Sequence, residues 1–252
     1  MKKRYRSEIK YYISTGNATI IKTKLKALAA IDKHAAKEGS YFIRSLYFDD
    51  YFNMAYQEKE MGIVDRKKYR IRIYNCSDKV INLERKKKYG DYIYKESAKI
   101  TRAQFEDILN ENYDFLLTSE SNLLREFYYE CRSNVMRPKI IVDYTRIPFI
   151  DDNGTVRITL DLNLGATVSS FDIFDKRLPT MPAIDKQTHI LEVKFTEFLP
   201  SVYKSALLGM NIQKVAASKY VMCREAIDFQ RDRQYLMYEP SYNENQPILF
   251  KE

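Results

Sequence analysis

The sequence predicts an α+β fold in which about eight antiparallel strands close into a barrel, with helices flanking it. Three observations carry this. The stretch Lys68-Tyr69-Arg70-Ile71-Arg72-Ile73-Tyr74 alternates cations with large apolar side chains, the period of a strand with one buried face. The same alternation recurs along the chain, punctuated by turn signals such as Gly90-Asp91 and Asp151-Asp152-Asn153-Gly154. Helix-period stretches lie between the strands with no Pro/Gly/Ser-rich linker, so they read as insertions around one sheet.

The first strand covers 5–14, with Arg6, Glu8, Lys10 and Tyr12 on one face and Ser7, Ile9, Tyr11 and Ile13 on the other. Ser14 or Thr15 caps a helix over 17–34, striped by Ile20, Ile21, Leu25 and Leu28. A strand over 41–49 ends at Asp49-Asp50, and a short helix over 51–60 is broken by Gly62. The basic strand follows over 65–74. After a turn at 75–79 it returns over 80–88, with Asn82, Glu84, Lys86 and Lys88 on one face. A strand over 92–100 places Lys95, Ser97 and Lys99 in one row. These five strands are expected to form an antiparallel meander. Thr101, helped by Gln104 or by Phe105-Glu106 in the first turn, caps a helix over 102–110, and a second helix covers 121–133. Strands over 139–150, 155–164 and 188–196 follow, the last two separated by a looser stretch. Pro200 opens a helix over 201–208, and a last helix covers 218–228. Residues 1–230 read as one domain. The tyrosine-rich tail 231–252 carries no pattern and is expected to be surface-packed or frayed.

A chain of 252 residues, 45% hydrophobic, can bury one sizeable core. No apolar run reaches membrane-span length, and no apolar segment follows the basic N-terminus, so neither a span nor a secretory signal is expected. The three cysteines Cys76, Cys131 and Cys223 are too scattered for a disulfide framework or a zinc site and fit a cytoplasmic location. Only His34 and His189 are available as imidazole ligands, and neither is given a role. Lys plus Arg outnumber Asp plus Glu by 42 to 34, which points to a polyanion: nucleic acid, phosphate chains or an acidic membrane surface. With seven glycines and neither a P-loop nor a dinucleotide fingerprint, side chains would have to hold any phosphate.

Counted by strand, the basic rows are Lys10, Arg70 with Arg72, Lys86, Arg146, Arg157 and Lys194, and Glu8, Glu84 and Glu192 stand in the same rows. A barrel full of unpaired cations is costly. A bound polyphosphate with a divalent metal compensates it, and carboxylates among the cations suit Mg²⁺ or Mn²⁺. Structural alternatives stand beside each residue. Arg70 and Arg72 fit a solvated strand face, and Lys86 a solvated charge run. Arg146 and Arg157 fit ion pairs with Asp143 or Asp161, Glu192 a bridge to Lys194 or a neighbouring Arg, and Glu8 a pair with Lys10. Tyr47 and Phe48 read as core.

Eight short motifs are distinctive in this order. They are Ser7-Glu8-Ile9-Lys10-Tyr11, Arg44-Ser45-Leu46-Tyr47-Phe48-Asp49, Tyr69-Arg70-Ile71-Arg72-Ile73-Tyr74, Leu83-Glu84-Arg85-Lys86, Tyr144-Thr145-Arg146, Val156-Arg157-Ile158-Thr159-Leu160-Asp161, Ile190-Leu191-Glu192-Val193-Lys194 and Ser218-Lys219-Tyr220. Together they resemble the VTC domain, the polyphosphate polymerase module among the triphosphate tunnel metalloenzymes. The resemblance runs from about residue 4 to residue 225. It implies a tunnel that adds the γ-phosphate of ATP to a growing polyphosphate chain. It implies Arg70, Arg72, Lys86, Arg146, Arg157 and Glu192 as the catalytic set. Lys10, Lys194 and Lys219 would join those cations in binding phosphate, and Tyr144 would hydrogen-bond a phosphate oxygen. Glu192 and Glu8 would hold Mn²⁺ or Mg²⁺. Arg6 stands where the tunnel hydrolases carry a first glutamate, which favours the VTC branch. ATP and inorganic polyphosphate are then the expected partners, with a separate membrane partner and no nucleic acid. A triphosphatase using the same tunnel and a non-catalytic polyphosphate-binding module are the rival readings.

Overall fold

The computed structural model describes residues 6–35, 39–90, 92–151 and 153–237. Strand β1 (Arg6–Ser14) runs into helix α1 (Thr15–Lys26), which Ser14 caps by accepting from the Asn17 N–H. The short strand β2 (Ala30–Ile31) and a 3₁₀ turn at Lys33–Ala35 lead to β3 (Tyr41–Asp49). Helix α2 (Met54–Glu60) precedes three long strands, β4 (Arg66–Tyr74), β5 (Ser77–Tyr89) and β6 (Tyr92–Ile100). Helices α3 (Arg102–Leu109), α4 (Asp114–Leu117) and α5 (Asn122–Ser133) are inserted before β7 (Arg137–Ile150). The chain continues as β8 (Val156–Thr167), β9 (Met181–Pro182), β10 (Thr188–Thr196), α6 (Ser201–Leu207), β11 (Gln213–Lys214) and α7 (Lys219–Met237).

All strands belong to one antiparallel sheet in the order β11-β1-β10-β8-β7-β3-β4-β5-β6, with β2 on β7 and β9 on β8. Opposite charges mark the registers. Glu8 stands opposite Lys194 and Lys10 opposite Glu192 in β1–β10, and Arg70 stands opposite Glu84 in β4–β5. The outward residues Tyr69, Ile71, Ile73 and Leu83 pack under Phe105 and Ile108 of α3 and Leu124 and Phe127 of α5. Each such fully buried aliphatic side chain contributes roughly 1.5–3 kcal/mol by leaving water, and that fixes Arg70 and Arg72 on the inner face. On the opposite wall, Phe149, Ile158, Leu191 and Val193 pack under Ile21 and Leu25 of α1 and Tyr203 of α6. Tyr220, Cys223 and Ile227 of α7 pack on Ile140, Val142 and Tyr144, so the start of α7 lies on the inner face.

Several expectations change. The five-strand meander reduces to β3–β6, because β1 leaves to pair with β10, where its charges are matched. The expected closed barrel is an open path among the described residues: no ladder joins β6 to β1, and β11 occupies part of the free edge of β1. The sheet still curls enough to bring Lys86 of β5 within 3.8 Å of Glu8 on β1. The helix expected over 17–34 stops at Lys26, because Ala30–Ile31 pairs with the end of β7. Finally, α7 runs on to Met237, into the stretch read as an unpatterned tail. Residues 238–252 of that tail, and Asp152 and Asp91 of the two turns, lie outside the described residues. Helix α2 begins later than expected because Asp49 and Asp50 accept from the N–H groups of Ala55, Tyr56 and Met54, after Asn53 at φ 57°. No helix among the described residues is long and apolar enough to cross a membrane.

Candidate functional site

The inner face gathers side chains from β1, β3, β4, β5, β7, β8 and β10 and from the start of α7. Asp161, fully buried on β8, is its fixed point. It accepts from Arg146 Nε at 2.6 Å and Nη2 at 2.7 Å, and from Lys219 Nζ at 2.7 Å. Arg146 also reaches Glu192 at 3.4 Å. Lys194 lies 3.3 Å from Glu192 and 3.6 Å from Glu8, and Lys10 lies 3.7 Å and 3.2 Å from the same two carboxylates. Lys10 also donates to the Ala217 carbonyl at 2.8 Å, which ties β1 to the segment before α7.

On the facing wall, Arg70 holds Glu84 through Nε at 2.8 Å and Nη2 at 2.6 Å, and donates to Tyr47 OH at 2.8 Å. Lys95 shares Glu84 at 2.6 Å. Among the described residues, Arg72 bonds only neutral partners, Ser45 Oγ at 3.0 Å and Tyr144 OH at 3.1 Å. The Tyr144 ring lies under both Arg146 and Lys219.

Electrostatics follow from this crowding. Burial raises the carboxyl of Glu192, but Lys219, Lys194, Lys10 and Arg146 outweigh it and hold the group well below the usual carboxylate range. Burial opposes Asp161 in the same way, and Arg146 and Lys219 lower it. Against burial, Arg70, Arg72 and Lys95 bring Glu84 down to about 2. Burial also works against the Tyr144 phenolate, yet Arg146 and Arg72 pull its pKa below the ordinary value. The carboxylates of Glu192, Asp161 and Glu84 are therefore ionised at neutral pH, and each serves more than one cation.

Ten of the residues singled out from the sequence meet here: Glu8, Lys10, Arg70, Arg72, Lys86, Tyr144, Arg146, Glu192, Lys194 and Lys219. Arg157 stands apart. It shares the inner face of β8, but its Nη2 is bound to Asp32 at 3.0 Å, while its buried Nε and the nearby Thr159 Oγ1 have no partner among the described residues. The ion pair of Arg146 with Asp161 is the structural alternative weighed for that arginine, and it coexists with an inward-facing guanidinium. Tyr47 is buried as expected but also bonds Arg70. Asp161 as the hub, Lys95 on Glu84, and Ser45 and Asp32 were not singled out as site residues. Their signal, same-face alternation with the basic rows, was present only for Asp161 and Lys95.

The chain matches the VTC domain over residues 5–227. It belongs to the VTC domain family. No curated protein sequence matches it. Among solved structures, an adenylyl cyclase candidate from Hippeastrum, described as having a dominant triphosphatase activity, is 15% identical with a TM-score of 0.55, covering 88% of this chain and 96% of that one. An adenylate cyclase candidate from Bacillus halodurans is 11% identical with a TM-score of 0.48, over 86% of this chain and 96% of that one. The Hippeastrum likeness shows that this VTC domain shares that protein's fold.

Among the described residues, no three His, Cys, Asp or Glu side chains form a metal cage. Glu8 and Glu192, both reached by Lys10 and Lys194, offer oxygen ligands from two strands. Mg²⁺ is commonly held by one or two carboxylates together with substrate phosphates, and this pair fits that mode.

Proposed function

We propose that this VTC domain is a metal-dependent polyphosphate polymerase that transfers the γ-phosphate of ATP to inorganic polyphosphate and releases ADP. The observation that carries the reading, beside the family, is a cation-rich inner face whose carboxylates are shared and so leave donors for phosphate. Arg70, Arg72 and Arg146 offer planar forks to phosphate oxygens, with Lys10, Lys86, Lys194 and Lys219 as movable charges and Arg157 at the edge. Tyr144 OH, already bonded to Arg72, faces the same space. Glu192, with Glu8, would hold Mn²⁺ or Mg²⁺, which neutralises charge on the transferring phosphoryl group.

In the transfer, a terminal oxygen of the polyphosphate chain bonds to the γ-phosphorus. The bond from that phosphorus to its bridging oxygen breaks, and the electron pair leaves with ADP. The acceptor oxygen is already anionic, so no strong base is needed, and the residues act by positioning and charge neutralisation. A site without a catalytic histidine suits this chemistry.

The triphosphatase activity described for the Hippeastrum protein supports a second reading, hydrolysis of triphosphate on the same inner face. Incubation with ATP and Mn²⁺ or Mg²⁺, resolved by gel and ³¹P NMR, separates the two. A polyphosphate ladder with matching ADP, lost in Arg70→Ala, supports the polymerase. Orthophosphate without chains supports the hydrolase, and no turnover by folded protein leaves a binding module.

A further inference from the structure

One end of the inner face carries positive charge that its carboxylates do not answer. Outward along β4 from Arg72, the inner positions are Arg70, Lys68 and Arg66. Arg70 stands opposite Glu84, but the next two positions set cation against cation: Lys68 opposite Lys86, and Arg66 opposite Lys88. On the far side of β5, Lys95 stands opposite Lys86. Directly opposed like charges destabilise an antiparallel pair.

Compensation at this end is thin. Among the described residues, Lys86 pairs only with Glu8, at 3.8 Å, which Lys10 and Lys194 also use. Among the described residues, no carboxylate forms an ion pair with Lys68. Its Nζ lies 3.2 Å from Ser218 Oγ and 5.1 Å from the Tyr220 ring centroid. Arg66 donates to the Ile63 carbonyl. Burial, then Arg66 and Lys59, push the Lys68 ammonium down to about 7, and the nearby Asp49 offsets only part of that.

Inner positions on a strand repeat every ~7 Å, so the row from Arg72 to Arg66 runs ~20 Å. A triphosphate, with two bridging oxygens, is too short to cover it from one end to the other. A longer chain of the same chemistry is not. Building on the phosphate-transfer reading above, we propose that Arg66, Lys68 and Lys88, with Lys86 at the junction, form a second phosphate subsite that holds the distal part of a polyphosphate chain. Such a subsite favours long chains over triphosphate.

The test is equilibrium binding of tripolyphosphate and of long-chain polyphosphate to the full chain, comparing wild type, Lys68→Gln and Arg66→Gln/Lys88→Gln. Circular dichroism and melting curves report folding, the double variant lies at the half-buried outer end of the row, and Lys68→Arg serves as the charge-preserving control. Each neutral variant is expected to weaken long-chain binding about tenfold, the scale of a lost charge-assisted contact, while tripolyphosphate binding changes much less. Lys68→Arg restores the long-chain affinity. Equal loss for both ligands, or no loss for either, overturns the subsite while the triphosphate reading stands. Wild-type protein that binds neither ligand overturns both.

Discussion

Replacing Asp161 by Asn tests whether the inner face is a held cluster of cations. The change keeps the size of the side chain and removes its charge. Three charge-assisted bonds end on this fully buried carboxylate, two from Arg146 and one from Lys219. Removing one partner of a buried pair costs about 3–5 kcal/mol, because the remaining charge is left uncompensated. Glu192, 3.4 Å from Arg146, takes up part of the burden, so the low end, ~3 kcal/mol, is expected. For a chain of this size each kcal/mol moves the melting temperature by ~2–4 °C, which gives a fall of ~6–12 °C.

The informative half of the experiment adds tripolyphosphate. An anion that binds only the folded state stabilises it in proportion to its affinity. With Asp161 neutral, Arg146 and Lys219 have more unanswered charge to offer, so the ligand-induced rise in melting temperature is larger in the variant than in wild type. Thermal melts monitored by circular dichroism, with and without the ligand, measure both quantities. A fall below ~2 °C refutes the buried-pair argument, and an equal or smaller ligand-induced rise refutes the claim that the cations are held for phosphate.

Glu192→Gln is expected to abolish turnover with either metal while tripolyphosphate binding persists, measured by ³¹P NMR and calorimetry; retained turnover removes Glu192 from the site. Glu84, ordinarily near 4.5 and here about 2, binds its proton more weakly folded than unfolded. Its stabilisation of ~3 kcal/mol is therefore complete above about pH 4.5 and lost as pH falls toward 2, and acid unfolding of Glu84→Gln should lack that component. Lys68 has the same sign in a higher window: between about pH 7 and 10.5 the unfolded chain holds a proton the folded one lacks, so this group's contribution to stability rises with pH. Long-chain polyphosphate restores its ammonium, so calorimetry near pH 8 in buffers of different ionisation heat should show proton uptake that Lys68→Gln loses. Tyr47→Phe removes one hydrogen bond to Arg70 and should lower kcat/KM about fivefold to tenfold with little change in melting temperature.

Much of the inner face was legible because strand alternation is local. The period of two places Arg70 with Arg72, Glu84 with Lys86, and Glu192 with Lys194 before any partner is known, and burial of Ile71, Leu83 and Val193 on the other face confirms each phase. What the alternation does not contain is pairing. That β1 lies against β10, more than 170 residues away along the chain, follows from Glu8 meeting Lys194 and Lys10 meeting Glu192, a match seen only when both strands are set side by side. The two-residue strands β2, β9 and β11 are too short to carry a period. Asp32 reaches Arg157 because α1 stops early to let β2 pair with β7. Lys219 sat at a helix start with no pattern of its own, and the packing of α7 on Tyr144 brings it inside.

Arg44 shows why the inner face differs from an ordinary buried ion pair. Its guanidinium meets Asp143 through two nitrogens at 2.8–3.1 Å, and its remaining nitrogen donates to the carbonyls of Ile173 and Asp175. One cation has one carboxylate, every nitrogen is used, and nothing is left for a ligand. On the inner face the ratio runs the other way. Glu84 serves Arg70 and Lys95, Asp161 serves Arg146 and Lys219, and Glu8 serves Lys10, Lys86 and Lys194. Sharing lowers the desolvation cost enough for the cations to be tolerated without ligand, yet leaves each of them only partly neutralised. An entering phosphate chain then gains the charge that the carboxylates leave over, without having to break a one-to-one pair first. The same motif residue type is thus a structural brace at Arg44 and a proposed phosphate ligand at Arg70 and Arg146, and the number of cations per carboxylate is what separates the two roles.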